Sequence, residues 1–235
     1  MTTIQRIPAP EGTTSTLIFL HGLGDSGNGW LHLAQYLHER PQFQHVEIIL
    51  PSAPAKPLTV AGGNVMPQWF DIPQPRTLAA LSGAPFKEDD TGYWGTVDWV
   101  RGLVAQEESK LGKGHVIVGG FSQGAAVSLG VAASGTEVPV ISLSGFAIKT
   151  GLNERLEKLS PKAKAVPIFH GHGDNDKVID IKFARDTQEV FQGAGFTNYE
   201  LKEYPYMGHT CSPQELDLVA QFIAENLSKH LDSVI

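Results

Sequence analysis

At 235 residues the chain is long enough to bury one large core and short for two separate ones. Hydrophobic residues make up 41% and charged residues 18%, a composition that collapses rather than staying disordered. The net charge of -7, from 25 acidic against 18 basic residues with no Lys/Arg cluster, argues against nucleic acid as a partner. Cys211 is the single cysteine, so no internal disulfide can form and a reducing cytosol is the expected compartment. Residues 1–14 contain Pro8, Pro10 and Gly12 where a secretory leader needs an apolar stretch, and no run reaches the ~20 apolar residues of a membrane span. The sequon at Asn226 is expected to be a chance match inside a helix.

In chain order, short β-branched or Leu-rich runs alternate with amphipathic stretches, the pattern of a mostly parallel sheet covered by helices on both faces. A first strand is expected over residues 16–20, a helix over 30–39 and a second strand over 46–50. Residues 51–94 then break the alternation with seven prolines, including Pro51, Pro54, Pro67 and Pro85. So long a proline-rich stretch reads as a functional excursion, and its Met66, Trp69, Phe70 and Phe86 carry too much apolar surface for a solvated loop. Helix 95–110 follows, then strand 115–119, helix 123–133, and strands 138–143 and 166–170. Helix 182–194, strand 199–204 and helix 213–229 complete the series. In the last helix Leu216, Val219, Ala220, Ile223 and Leu227 form one stripe, which should lie flat on the sheet.

The strongest chemical signal is Gly120-Phe121-Ser122-Gln123-Gly124, placed between an apolar strand and a small-residue helix. Gly-x-Ser-x-Gly in that context is a strand–turn–helix elbow: the bend strains the serine backbone, and the flanking glycines remove side chains that would collide. Ser122 is thereby held above the sheet beside a helix N-terminus. A serine hydroxyl needs a base within reach and an acid to orient that base, and in this fold the order is Ser, acid, His. Asp176 and His209, each in a loop after a late strand, fill those places. Asp174 is expected to cap the turn through its backbone, and His170 and His172 to pack or hydrogen-bond at the strand end.

Two further motifs compete for attention. His170-Gly-His172-Gly-Asp174 looks like the start of a metallohydrolase cluster, but Asn175 stands where another imidazole is required, leaving zinc short of ligands. Gly22-Leu23-Gly24-Asp25-Ser26-Gly27 fits a dinucleotide fingerprint, yet the second strand ends in Leu50-Pro51, without the acid that would hold a ribose. With Ser122 in view, residues 21–24 instead read as the loop whose Leu23 N–H completes an oxyanion hole with the Gln123 N–H. Cys211 reads as an idle thiol. No metal and no cofactor are implied.

Taken together, Phe19-Leu20-His21-Gly22-Leu23-Gly24-Asp25, Met66-Pro67-Gln68-Trp69-Phe70-Asp71, residues 119–124 and residues 173–176 resemble the acyl-protein thioesterase and small carboxylesterase family. The resemblance runs from Leu17 to about Ile223. It implies a single-domain α/β-hydrolase fold, Ser122, Asp176 and His209 as catalytic triad, and Leu23 and Gln123 as oxyanion donors. It also implies a cytoplasmic and secondarily nuclear enzyme that removes palmitoyl groups from cysteine thioesters, its partners being S-acylated proteins or acyl esters met in transient contact with a membrane surface. Hydrolysis of lysophospholipids or short oxygen esters is the alternative within the family; a non-catalytic binder on the same fold is a rival from another class. Met66, Trp69 and Phe70 are the expected walls of an acyl groove. The family often has Cys-Trp-Leu-Pro where this chain reads Gly145-Phe146-Ala147-Ile148, which brings Phe146 into the acyl pocket. It often has Asp-x-Asp-Pro-x-Val where this chain reads residues 174–179, and the excursion after Asp71 is longer than usual.

Overall fold

The computed structural model describes residues 2–74 and 87–228. Among them, seven strands form one sheet in the order β1-β3-β2-β6-β7-β8-β9. Six are those read from the sequence: β2 (Ser15–Leu20), β3 (Val46–Ser52), β6 (Val116–Phe121), β7 (Val140–Leu143), β8 (Ile168–Gly173) and β9 (Tyr199–Tyr204). All neighbours within that set pair in parallel. β7 and β8 begin two residues later than expected, beyond Pro139 and Pro167, which have no N–H to offer a ladder.

The seventh strand, β1 (Thr3–Ile7), pairs antiparallel with β3 and was not anticipated. Its residues alternate without burying a face, so periodicity carries little signal there. It is held by Arg6, which pairs with Glu47 and with the fully buried Glu107. Burial would raise the Glu107 carboxyl, but hydrogen bonds from Arg6 and Lys110 outweigh it and hold that carboxyl below its ordinary range.

The alternation of each strand divides the core into two layers. Ile18, Leu20, Val116, Val118, Val140 and Ile168 face helices α2 (Asp90–Leu111), α3 (Gln123–Ala133), α4 (Leu152–Glu157) and α6 (Ile181–Gly193). Leu17, Phe19, Ile48, Leu50, Ile117 and Ile141 face α1 (Leu31–His38) and α7 (Pro213–Ser228), whose Leu216, Val219, Ala220 and Ile223 lie on the sheet as their spacing predicts. The short α4 and α5 (Pro161–Lys164) have no counterpart among the expected elements, since two turns or fewer cannot display a 3.6-residue period. α2 starts five residues before the expected Gly95, because the Asp89 carboxylate accepts from the Gly92 N–H and caps it.

The excursion is not one loop. β4 (Ala55–Leu58) and β5 (Asn64–Pro67) form an antiparallel hairpin, followed by a strap, Gln68 to Ile72, that runs back to the sheet. Pro75, Pro85 and Phe86 lie outside the described residues.

β2 and β6 are neighbours, yet the chain leaves β2 towards α1 on one face and β6 towards α3 on the other. Loops diverging from adjacent carboxyl ends leave a crevice there. The β6–α3 turn fits against β2 only because two positions lack side chains. A Cβ on Gly120 would collide with the backbone of Gly124, and one on Gly124 with the carbonyls of Leu20 and His21. Gly124→Ala should therefore cost about 1–3 kcal/mol, since backbone cannot step aside as a flexible side chain would. At roughly 2–4 °C per kcal/mol for a chain this size, a thermal melt reads a drop of several degrees; an unchanged midpoint would contradict the packing.

Candidate active site

Ser122 is the residue preceding α3, with φ 54° and ψ -114°. That region is sparsely populated by non-glycine residues and costs on the order of 1–3 kcal/mol, so the surrounding packing must impose it. Its N–H is satisfied by the Leu143 carbonyl at 2.8 Å and its carbonyl by the Ala126 N–H at 3.0 Å. The side chain is left projecting at the crevice. Gln123 is the first residue of α3, so no carbonyl of its own helix can take its N–H.

Asp176 and His209 come from different loops, joined by a short zipper. Asp174 N–H donates to the Tyr204 carbonyl at 3.0 Å, Asn175 N–H to the Met207 carbonyl at 3.1 Å, and Tyr206 N–H to the Asp174 carboxylate at 2.7 Å. Gly173 lets Met207 approach; any Cβ there would collide with the Met207 carbonyl. Asp174 is thus structural, acting through its side chain as well as its backbone.

The zipper sets the Asp176 carboxylate against His209. Asp176 Oδ1 accepts from the Val178 and Ile179 N–H groups at 2.8 Å each, and Oδ2 lies 2.7 Å from His209 Nδ1. Burial alone would raise this carboxyl, but the bonds from His209 and the two backbone N–H groups hold it below its usual range. An ionised carboxylate can only accept, so His209 donates from Nδ1, and the neutral tautomer this selects leaves Nε2 as an acceptor. That Nε2 lies 2.9 Å from Ser122 Oγ. The three side chains singled out in the sequence are therefore in one hydrogen-bonded line.

The neighbouring histidines are occupied otherwise. His172 Nε2 is 2.8 Å from the Ile179 carbonyl, and His170 Nδ1 is 2.7 Å from the Tyr199 hydroxyl. Burial pushes both imidazoles down, His170 to about 3 with help from the adjacent His172, so both stay neutral. Cys211 is partly buried, and burial followed by the nearby Glu215 pushes its thiol up, away from a reactive thiolate.

A cavity of about 510 Å³ opens beside Ser122. Gly22, Leu23, Phe121, Gln123 and His209 surround its reactive end, and Phe70, Ile72, Phe146, Ile148, Val178 and Ile179 give it apolar walls. Leu23, Gln123, Phe70 and Phe146 thus lie where the sequence placed them. Met66 and Trp69 do not line the cavity. Met66 stands half-buried on β5. Trp69 is in the core, its indole N–H donating to the His21 carbonyl at 2.8 Å. The strap carrying Trp69 and Phe70 is pinned by the Gln123 carboxamide, which accepts from the Trp69 N–H at 2.8 Å and donates to the Phe70 carbonyl at 2.7 Å. Phe70, not Trp69, borders the cavity. Val178 and Ile179 went unnoticed in the sequence, although they stand two and three residues from Asp176.

The chain matches the phospholipase/carboxylesterase family over residues 3–227. It is 39% identical to acyl-protein thioesterase 1 of Saccharomyces cerevisiae over 225 residues, covering 91% of this chain and 93% of that one. The corresponding protein of Mycosarcoma maydis is 36% identical, with 89% and 90% covered. Among solved structures, Zea mays acyl-protein thioesterase 2 superposes with a TM-score of 0.81 at 28% identity, covering 96% of this chain and 99% of its own. Arabidopsis thaliana SOBER1 gives 0.80 at 27% identity, covering 91% and 99%. A sheet whose β2–β6 crevice holds an elbow serine, matched along nearly its whole length, makes this chain an enzyme of the phospholipase/carboxylesterase family of α/β-hydrolases.

Proposed function

We propose that the protein is a serine hydrolase that cleaves acyl thioesters, removing long acyl groups such as palmitoyl from cysteines of S-acylated proteins, through a Ser122-His209-Asp176 triad. The observation that carries this reading is the unbroken line of 2.9 and 2.7 Å contacts from Ser122 Oγ through His209 to Asp176, at the mouth of an apolar cavity. The names of the relatives support the choice of substrate class.

His209 Nε2 takes the Ser122 proton as Oγ attacks the thioester carbonyl, and Asp176 stabilises the imidazolium that forms. The N–H groups of Leu23 and Gln123 receive the developing oxyanion. His209 then protonates the departing thiolate. A water molecule, activated by the same imidazole, releases the fatty acid from Ser122. Because both oxyanion donors are backbone, no side-chain truncation deletes them, whereas the nucleophile can be removed. Ser122→Ala should lower kcat by about 10⁶-fold and abolish labelling by a fluorophosphonate probe. Labelling that persists in that variant would place the nucleophile elsewhere.

Phe70, Phe146 and the aliphatic residues around them form the acyl site in this reading. Each methylene transferred from water to such a surface contributes about 0.8 kcal/mol, roughly a fourfold gain in kcat/KM per added CH₂ until the cavity is full. Phe146→Ala should move that plateau to longer chains. A chain-length profile identical to the parent would remove Phe146 from the acyl site.

A thioester substrate is distinguished from an oxygen ester by comparing kcat/KM for a palmitoyl-cysteine peptide with that for a short aryl ester. A clear preference for the peptide is expected, and the reverse order would make the protein a small-ester carboxylesterase. The cytoplasm, and secondarily the nucleus, is the proposed location, supported by a chain whose single cysteine forgoes disulfides.

A further inference from the structure

We propose that His21, backed by Trp69, is the positioning residue of the oxyanion site: its ring fixes the plane of the Gly22–Leu23 peptide and so aims the Leu23 N–H at the space above Ser122. This rests on reading Ser122 as the nucleophile. His21 follows β2 and is fully buried. Its Nε2 accepts the Ala53 N–H at 2.9 Å. A ring nitrogen that accepts carries no proton, so a neutral ring bears its hydrogen on Nδ1. That Nδ1 lies 2.6 Å from the Gly22 carbonyl oxygen, to which it donates. Burial lowers the proton affinity of the ring and keeps it in this neutral form.

The carbonyl so gripped shares its peptide plane with the Leu23 N–H. No cis peptide occurs among the described residues, so this bond is trans and its N–H points opposite to the Gly22 oxygen. Asp25 N–H also donates to that oxygen at 3.3 Å, on the side away from the N–H. Among the described residues no acceptor takes the Leu23 N–H, and both Gly22 and Leu23 border the cavity. A carbonyl that accepts hydrogen bonds polarises its amide and strengthens the N–H as a donor. The loop is held from behind as well. Trp69 donates its indole N–H to the His21 carbonyl and packs against the His21 ring at 5.0 Å, and Gly24 N–H donates to the Pro67 carbonyl at 2.8 Å. His21 thus has two separable bonds, one to structure at Ala53 and one to the donor peptide at Gly22.

Two substitutions split them. His21→Asn sets an amide N–H near the Nδ1 position and keeps the grip on Gly22. His21→Gln reaches the Ala53 N–H with its side-chain oxygen and abandons Gly22. With a short aryl ester, the Gln variant should lose about 10²-fold in kcat with KM within twofold, and its affinity for an alkyl trifluoromethyl ketone, whose Ser122 adduct bears the oxyanion, should fall in parallel. The Asn variant should recover kcat at least tenfold over Gln at a similar thermal midpoint. Equal kcat in the two variants overturns the proposal, as does a loss that follows KM or the thermal midpoint alone. If neither variant folds, Trp69→Phe decides, since it keeps the ring and deletes the N–H on the His21 carbonyl. Lower kcat at unchanged KM supports the proposal, and an unchanged kcat overturns it. Failure of the nucleophile reading is separate, seen as no fluorophosphonate label on the parent protein.

Discussion

The close approach of the β6–α3 turn to β2 is the constraint on which the rest of the molecule depends. It forces Ser122 into a backbone region with φ 54°, which a free chain would leave, and it holds there because the layers on both sides of the turn are already packed. Gly120 and Gly124 are the positions where any side chain would meet backbone. Their absence of a Cβ lets three things share one small space: the serine hydroxyl, the first N–H of α3, and the loop after β2 that carries Leu23.

Charge is managed around that space by giving each buried group a single assignment. The Asp176 carboxylate keeps its charge because two backbone N–H groups and His209 satisfy it. Burial lowers the proton affinity of His21, His170 and His172, whose ring nitrogens meet the Gly22 carbonyl, the Tyr199 hydroxyl and the Ile179 carbonyl respectively. The zipper between residues 174–176 and 206–207 makes the acid and the base one rigid unit, although 33 residues separate Asp176 from His209.

The strap from Gln68 to Ile72 links the two halves of the site. Gln123 borders the cavity beside Ser122 and gives its carboxamide to the strap, while Trp69 ties the same strap to His21. The cavity wall and the loop after β2 are therefore mechanically continuous. Apolar residues of the excursion have definite places: Tyr93 and Trp94 open α2 in the core, Trp69 braces the loop after β2, and Phe70 meets the cavity.

Local sequence determined the parallel sheet and its covering helices and singled out Ser122, Asp176 and His209, which the fold brings into one hydrogen-bonded line, because apolar runs, helical stripes and an elbow with flanking glycines are short-range properties. Even the demotion of His170 and His172 could be read from their place at a strand end. Other features depend on partners distant in sequence. β1 pairs with β3 across more than forty positions and is tied by Arg6 to Glu107, a hundred and one positions away. Trp69 and Phe70 are both apolar and adjacent, and contacts with Gln123 and His21, distant in sequence, hold the first in the core while the second borders the cavity. The contacts of His21 are likewise invisible in the chain, since Ala53 and Trp69 bring them to the ring and carbonyl from distant segments. Patterns of one residue type can be read along a chain, whereas the direction in which a side chain or a peptide plane points is settled by contacts that form only when distant segments close together.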